Sequence, residues 1–235
     1  AEDGIRDVAV TGVQTCALPI FDILQEVFGY SAFRGQQAAI VDHVTDGGDA
    51  LVLMPTGGGK SLCYQLPAIA MERTCIVISP LIALMQDQAA SLRENGIDSA
   101  FLNSSLDWQQ AREIMQKAER GAYQLLYLSP ERIVREDTLK WLDRVPLGFF
   151  AIDEAHCISE WGHEFRPEYR QLGLLRERFP NTPIAAFTAS ATRVVRHDIL
   201  AQLHLDHPAC FVMSFHRPNL RYIIHECDKK SDAQM

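Results

Sequence analysis

No two cysteines stand at C-x-x-C spacing in the 235 residues; the six present are scattered along the chain. That argues against a disulfide framework and against a structural zinc site within this chain, and it fits a reducing, cytoplasmic setting. No apolar run approaches the length of a membrane-spanning helix, so a soluble chain with no membrane partner is expected. Positive charge is in deficit, with 22 Lys and Arg against 30 Asp and Glu and a net charge of −8. Nothing attracts nucleic acid globally, and any such binding has to come from a local groove. Internal repeats and low-complexity segments are also missing. What the chain does have is 47% apolar residues, enough for a sizeable core in one large domain or two small ones.

The first twenty residues stand apart from the rest. The stretch Val10–Ile20 matches a frame translation of a common short-read sequencing adapter. Residues 1–20 are therefore read as a non-native segment and set aside from fold reasoning; the alternative is an unusual N-terminal extension. A targeting peptide fits poorly, since the segment has one Arg and no long apolar run. On this reading the native sequence begins near Phe21, with its true start missing. At the other end, Cys227–Met235 is polar and stops abruptly, as a cut would.

Between these ends, strand and helix patterns alternate. Apolar spacing predicts helices over Phe21–Phe28, Arg34–Val44, Leu81–Asn95, Ser105–Arg120 (capped by Ser105 or Asp107), Tyr169–Phe179 and Thr192–Leu203. Apolar, β-branched runs predict strands over Ala50–Leu53, Thr74–Ser79, Ser99–Leu102, Gln124–Leu128, Leu147–Ile152, Ile184–Phe187 and Ala209–Met213. Alternation of this kind predicts an α/β domain with a largely parallel sheet, helices on both faces, and ligands at the carboxyl ends of the strands.

Three stretches carry chemistry. The first comes after the strand at Ala50: Met54-Pro-Thr56-Gly57-Gly58-Gly59-Lys60-Ser61. Glycines let backbone N–H groups close around a polyphosphate at a helix N-terminus, whose partial positive charge favours the anion. Lys60 would reach the β- and γ-phosphates and Ser61 would ligate Mg²⁺. The strict phosphate-loop pattern has glycine where Met54 stands. A plain glycine-rich turn before a helix is the alternative. The second stretch, Asp153-Glu154-Ala155-His156, comes after the apolar strand Leu147–Ile152. Asp153 would hold Mg²⁺, Glu154 would orient and deprotonate the attacking water, and His156 would report the phosphate state to neighbouring segments. The third is Thr188-Ala189-Ser190-Ala191-Thr192 after the strand at Ile184. Its hydroxyls can couple the hydrolysis site to bound nucleic acid, or Thr192 can simply cap a helix.

The order of these three stretches resembles that of superfamily 2 helicases. Two more narrow the resemblance to the RecQ family of DNA helicases. Leu24 to Gln37, with Phe28-Gly29-Tyr30 and Phe33-Arg34-Gly-Gln-Gln37, is similar to the RecQ element that recognises adenine. By that match Gln37 reads the adenine edge, and Tyr30 and Arg34 pack against the ring. Ile158 to Tyr169 resembles the aromatic-rich loop of RecQ proteins. There Trp161 and Phe165 would stack on unpaired bases, worth roughly 1–3 kcal/mol per base, while His163 and Arg166 would contact phosphates or relay the loop position to Glu154. Met54 also fits, since Met-Pro-Thr-Gly-Gly-Gly-Lys-Ser is the RecQ form of the phosphate loop.

Weaker matches are Ser79-Pro80-Leu81 through Gln88 and Asn103-Ser104-Ser105, as contacts to a single-strand backbone or as helix caps. Ser214 to Tyr222 resembles the family's passage into a second motor domain, although the family more often has Asp where His216 stands. The resemblance implies a RecA-like P-loop domain over residues 21–213 and the start of that passage over 214–235. The whole enzyme would be an ATP-dependent 3′→5′ DNA helicase using ATP and Mg²⁺ on single-stranded and partly duplex DNA. Single-strand-binding or recombination proteins would be partners of the intact enzyme. Arginine fingers, a Zn²⁺ module and a winged helix belong to a C-terminal part this chain lacks, so the piece is expected to hydrolyse ATP poorly. Another superfamily 2 ATPase, such as an RNA helicase or translocase, and a non-enzymatic nucleotide- or DNA-binding module are the competing readings.

Overall fold

The computed structural model describes residues 20–103 and 105–213. Residues 1–19 of the expected non-native segment, Ser104, and the expected passage from Ser214 onward, His216 included, lie outside them. The chain runs α1 (Ile20–Glu26), α2 (Gln37–Thr45), β1 (Ala50–Leu53), α3 (Leu62–Ala70), β2 (Thr74–Ile78), α4 (Ile82–Glu94), β3 (Ser99–Leu102), α5 (Trp108–Glu119), β4 (Leu125–Leu128), α6 (Pro130–Ile133), α7 (Glu136–Leu142) and β5 (Leu147–Ile152). Next come a 3₁₀ turn (Ala155–Ile158), α8 (Pro167–Arg170), α9 (Leu174–Arg178), β6 (Ile184–Thr188), α10 (Arg193–Gln202) and β7 (Ala209–Val212).

All seven strands pair in parallel in the order β3-β4-β2-β5-β6-β1-β7. The all-apolar runs explain this: every residue of β1, β2, β4 and β6 is buried, as strands covered on both faces must be. Successive residues alternate between two cores. Leu51, Ile76, Ile78, Leu126, Phe150 and Ile152 pack on one face, and Ala50, Val52, Val77, Tyr127, Phe149 and Ala151 pack on the other. Fully burying one such Leu, Ile or Phe side chain contributes about 1.5–3 kcal/mol. No helix among the described residues is long and apolar enough to cross a membrane.

Several expected boundaries move for local reasons. The first helix stops at Glu26, and the second starts at Gln37 because Arg34–Gln36 forms a turn. The helix after the phosphate loop starts at Leu62, with Ser61 as its cap position. Asp107, not Ser105, caps α5 through a reciprocal capping box with Gln110, which satisfies two orphan donors at once. The single helix expected over Tyr169–Phe179 is two short helices with a 3₁₀ turn at Gln171–Gly173 between them. At Gly173 the chain packs so closely on the end of α10 that a Cβ would lie 2.5 Å from Gln202 O.

The strand order sets up the site. β5 and β6 insert between β1 and β2, so the tips of β1, β6, β5 and β2 stand in a row. With neighbouring strands about 4.8 Å apart, the tips of β1 and β5 are separated by roughly 10 Å.

Candidate functional site

The phosphate loop leaves the tip of β1 and turns on two left-handed glycines, Gly57 (φ 78°) and Gly59 (φ 83°). It tolerates little else. A Cβ on Gly59 would collide with Gln37 Nε2, and one on Gly58 would sit 2.7 Å from Met54 Cγ and 2.9 Å from Pro55 O. Met54, which departs from the strict pattern, is fully buried, and its N–H donates to Thr188 O of β6 at 3.0 Å. It therefore extends the sheet and packs in the core before the loop turns. Ser61 Oγ accepts from Gln88 Nε2 at 3.3 Å, and Tyr64 OH holds Gln88 Oε1 at 3.0 Å. Gln88, at the end of a stretch given only a weak match, thus reaches the loop from α4.

Asp153 and Glu154 stand at the tip of β5. Glu154 adopts a left-handed conformation (φ 48°), uncommon for a residue with a Cβ. The turn is braced: Glu154 N–H donates to Asp153 Oδ1 at 3.0 Å, and Tyr169 OH donates to Asp153 O at 2.9 Å. Tyr169 is fully buried. Its role was not readable from spacing, because the contact depends on the loop between them folding back.

Burial drives the Asp153 carboxyl up to about 6, helped by the Glu154 charge; the Glu154 N–H, Lys60 and His156 pull it back. Glu154 is lowered, first by its hydrogen bond with His156, against burial, and then by Lys60. One ammonium therefore acts on both carboxyls, which places Lys60 and the acids in the same field. Burial disfavours the His156 imidazolium, but contacts with Cys157 and Glu154 outweigh it and hold the ring at about 9.

His156 Nδ1 lies 3.3 Å from Glu154 Oε2 and 3.0 Å from Thr188 Oγ1. Thr188 Oγ1 donates to Ser190 O at 3.2 Å, so it accepts from Nδ1–H. The His163 ring stacks on His156 with centroids 4.3 Å apart and planes 10° from parallel. Cys157 Sγ, 3.9 Å from His156 Nε2, is a neighbour that the sequence pattern did not single out. Arg166 Nη1 donates to Pro80 O at 3.2 Å, tying the aromatic loop to the tip of β2. Trp161 is 76% exposed and Phe165 is exposed beside it.

Two clefts flank the phosphate loop. One, of about 230 Å³, is lined by Phe28, Tyr30, Arg34, Gln37 and Gly57–Gly59 among others. Gln37 is only 2% exposed, which excludes a solvent-facing role. Its Oε1 accepts from Arg34 N–H at 2.8 Å and its Nε2 donates to Gly58 O at 3.0 Å. The Arg34 guanidinium lies 6.0 Å from the Tyr30 ring centroid. The other cleft, of about 550 Å³, gathers Thr56, Pro80, Glu154, His156, His163 and Ser190. Asn103 and Thr192 line neither cleft. Asn103 Oδ1 accepts from Ser105 N–H at 2.9 Å, and Thr192 caps α10 by accepting from Val195 N–H at 3.3 Å.

The arrangement fits a magnesium-bound polyphosphate. The loop is closed to any side chain at Gly58 and Gly59, a hydroxyl stands at the helix start, and the buried Asp153 carboxylate, with no ion pair among the described residues, stands at the tip of β5. Oxygen donors of this kind suit a hard cation.

Residues 34–197 match the family described as DEAD/DEAH box helicase. The chain is 48% identical over 205 residues to the ATP-dependent DNA helicase RecQ of Pasteurella multocida, covering 87% of this chain and 32% of that protein. It is 43% identical over 210 residues to the ATP-dependent DNA helicase RecQ of Bacillus subtilis, covering 88% and 36%. The chain thus spans about a third of the length of these relatives. Its fold is similar to a hypothetical ATP-dependent RNA helicase from Sulfolobus tokodaii, with a TM-score of 0.63 at 17% identity over 82% of this chain and 56% of that one. The Hef helicase domain of Pyrococcus furiosus gives a TM-score of 0.60 at 17% identity over 83% and 40%. The family match alone extends over more than half of the residues, and the chain belongs to the DEAD/DEAH box helicase family.

Proposed function

We propose that this chain is the first RecA-like motor domain of an ATP-dependent 3′→5′ DNA helicase of RecQ type, acting in the cytoplasm on single-stranded and partly duplex DNA. The names of the relatives above support the DNA assignment. The observation that carries the enzymatic one is geometric: the glycine loop bearing Lys60 and Ser61 leaves the tip of β1, and Asp153 and Glu154 stand at the tip of β5, on the other side of β6.

In this reading Gly57–Gly59 and Lys60 would hold the phosphates, and Ser61 and Asp153 would hold Mg²⁺. Bound there, the ion would neutralise charge developing on the transferred phosphoryl group. Glu154, kept ionised by His156 and Lys60, takes a proton from the attacking water at its carboxylate. His156 carries the position of that carboxylate to Thr188 and, through the stacked His163, to the loop bearing Trp161 and Phe165. Arg166 fixes the same loop to Pro80. Tyr30, Arg34 and Gln37 lie where an adenine ring would enter beside the phosphate loop. Single-strand-binding or recombination proteins would be partners of the intact enzyme.

The test is ATP hydrolysis by protein extended to the length of its relatives, with single-stranded DNA or RNA as the stimulant. Stimulation by DNA over RNA supports the reading; the reverse favours an RNA helicase. Glu154→Gln should cut turnover by about 10²–10⁴-fold while nucleotide still binds. Unchanged turnover in that variant would overturn the role given to Glu154 and favour a binding module.

A further inference from the structure

We propose that Trp108 and Arg112 form a second base-stacking platform for unpaired DNA, at the far end of the strand tips from Trp161. This rests on the proposed function, in which the chain binds single-stranded nucleic acid. Trp108 opens α5 and is 74% exposed, almost as much as Trp161. The Arg112 guanidinium, one helical turn on, sits 5.1 Å from its ring centroid. Helical spacing aligns Trp108 with Ala111 and Met115, which pack against the core. Trp108 lies a turn before them, at the start of the helix that follows β3. Its backbone is held by the Asp107–Gln110 capping box and by the Asn103–Ser105 turn before it. A large ring fixed in water, with one face near a cation, is poorly explained by packing.

The surface between the two aromatic sites points to the ligand. Ile78, Leu128 and Leu102 are register partners, so Ser79, Ser129 and Asn103 come next at one level on the tips of β2, β4 and β3. These tips span roughly 10 Å. Ser79 Oγ and Asn103 Nδ2 are buried and find no hydrogen-bond partner among the described residues. The same is true of Arg132 Nε, whose Nη2 lies 3.5 Å from Met115 Sδ on α5. At the β2 end, Arg166 joins this row to the Trp161 loop through Pro80. At the β3 end the chain leads from Asn103 to Trp108 at the start of α5. A row of polar residues at the strand tips, set between two exposed indoles, suits a phosphate backbone with unstacked bases at either end. Stacking of this kind is tolerant of sequence, since every base has a π-face.

Tryptophan emission separates this inference from the function it rests on. The chain has three tryptophans, and Trp141 is buried. In Trp161→Phe the exposed emission comes from Trp108. Titration with an oligothymidine of about 16 nucleotides should quench it, with the midpoint seen by anisotropy of the labelled oligonucleotide. The quench should vanish in Trp108→Phe/Trp161→Phe. In the otherwise native chain, Trp108→Ala should weaken binding about tenfold at an unchanged melting temperature. Oligonucleotide binding without Trp108 quenching, equal quenching by a duplex, or unchanged affinity in Trp108→Ala would overturn the platform and leave the proposed function standing. No binding of the oligonucleotide by the native chain would overturn the platform, while the proposed function is tested separately by hydrolysis in the extended protein.

Discussion

His156 Nδ1 and Thr188 Oγ1 meet at 3.0 Å although 32 residues separate them in sequence. The contact bridges the tip of β5 and the tip of β6, and the same imidazole nitrogen faces Glu154. Thr188→Val keeps the shape and removes the acceptor, leaving a buried N–H with only the carboxylate to serve. We expect a stability loss of about 1–3 kcal/mol and a fall in ATP turnover larger than any fall in nucleotide affinity. Thermal melting and steady-state hydrolysis measure the two. Unaltered turnover would mean that the bridge does not position Glu154.

Asp153 is a carboxylate that the fold disfavours. Its pKa is raised to about 6, so the stability it contributes is present below the ordinary carboxyl value of 3.8 and is lost as the pH rises through 6. A shift of about two units corresponds to roughly 3 kcal/mol at most. Asp153→Asn should therefore melt several degrees above the native chain at pH 8 and show little advantage at pH 4. The same variant should lose Mg²⁺-dependent nucleotide affinity. A lower melting temperature at pH 8 would show that the charged carboxylate is stabilised by something beyond Lys60, His156 and its neighbouring N–H.

Much of this site was legible in the sequence because it rests on local rules. The apolar runs at Thr74 and Leu147 could only be doubly covered strands, and the loops leaving the carboxyl ends of such strands lie on the ligand side of an α/β sheet. Ser105 or Asp107 announced a helix start, and the structure gives the cap to Asp107. The rest depended on contacts between distant residues. Glu136–Leu142 is two turns long and buries Thr138, Leu139, Trp141 and Leu142, too short a pattern to separate from a loop. The break at Gly173 exists because α10 presses against it. Tyr169 and Gln88 brace Asp153 and Ser61 across gaps that no periodicity encodes.

Asp49, just before β1, fastens the far end of the same strands. Both of its carboxylate oxygens accept from Arg176 Nη2 at 2.6 Å, and Oδ1 also accepts from Ile184 N–H at 2.8 Å. The pair is about four-fifths buried, with side chains 20% and 22% exposed. Asp49→Ala strands a cation and the first N–H of β6. The cost should be about 2–4 kcal/mol, seen as a melting temperature lower by roughly 5–15 °C. Because Asp49 lies at the opposite end of β1 from Lys60, nucleotide affinity below the melting transition should not change.

Gln37 has two possible duties, and one substitution separates them. Its amide is engaged with Arg34 N–H and with the carbonyls of Gly58 and Gly59. To read an adenine edge through both amide atoms it must release at least the glycine carbonyls, so base recognition and loop closure would be coupled. If Gln37 reads the base, Gln37→Ala should lose most of the preference for ATP over GTP, a discrimination of about 1–3 kcal/mol for a bidentate amide on adenine. If the amide only clamps the phosphate loop, both nucleotides should weaken equally and the ratio should stay fixed. Competition of ATP and GTP against a fluorescent nucleotide, in native and Gln37→Ala chains, measures that ratio directly. We expect the preference to collapse, because Tyr30 and Arg34 line the same cleft beside Gln37, whose amide can both donate to and accept from a base edge.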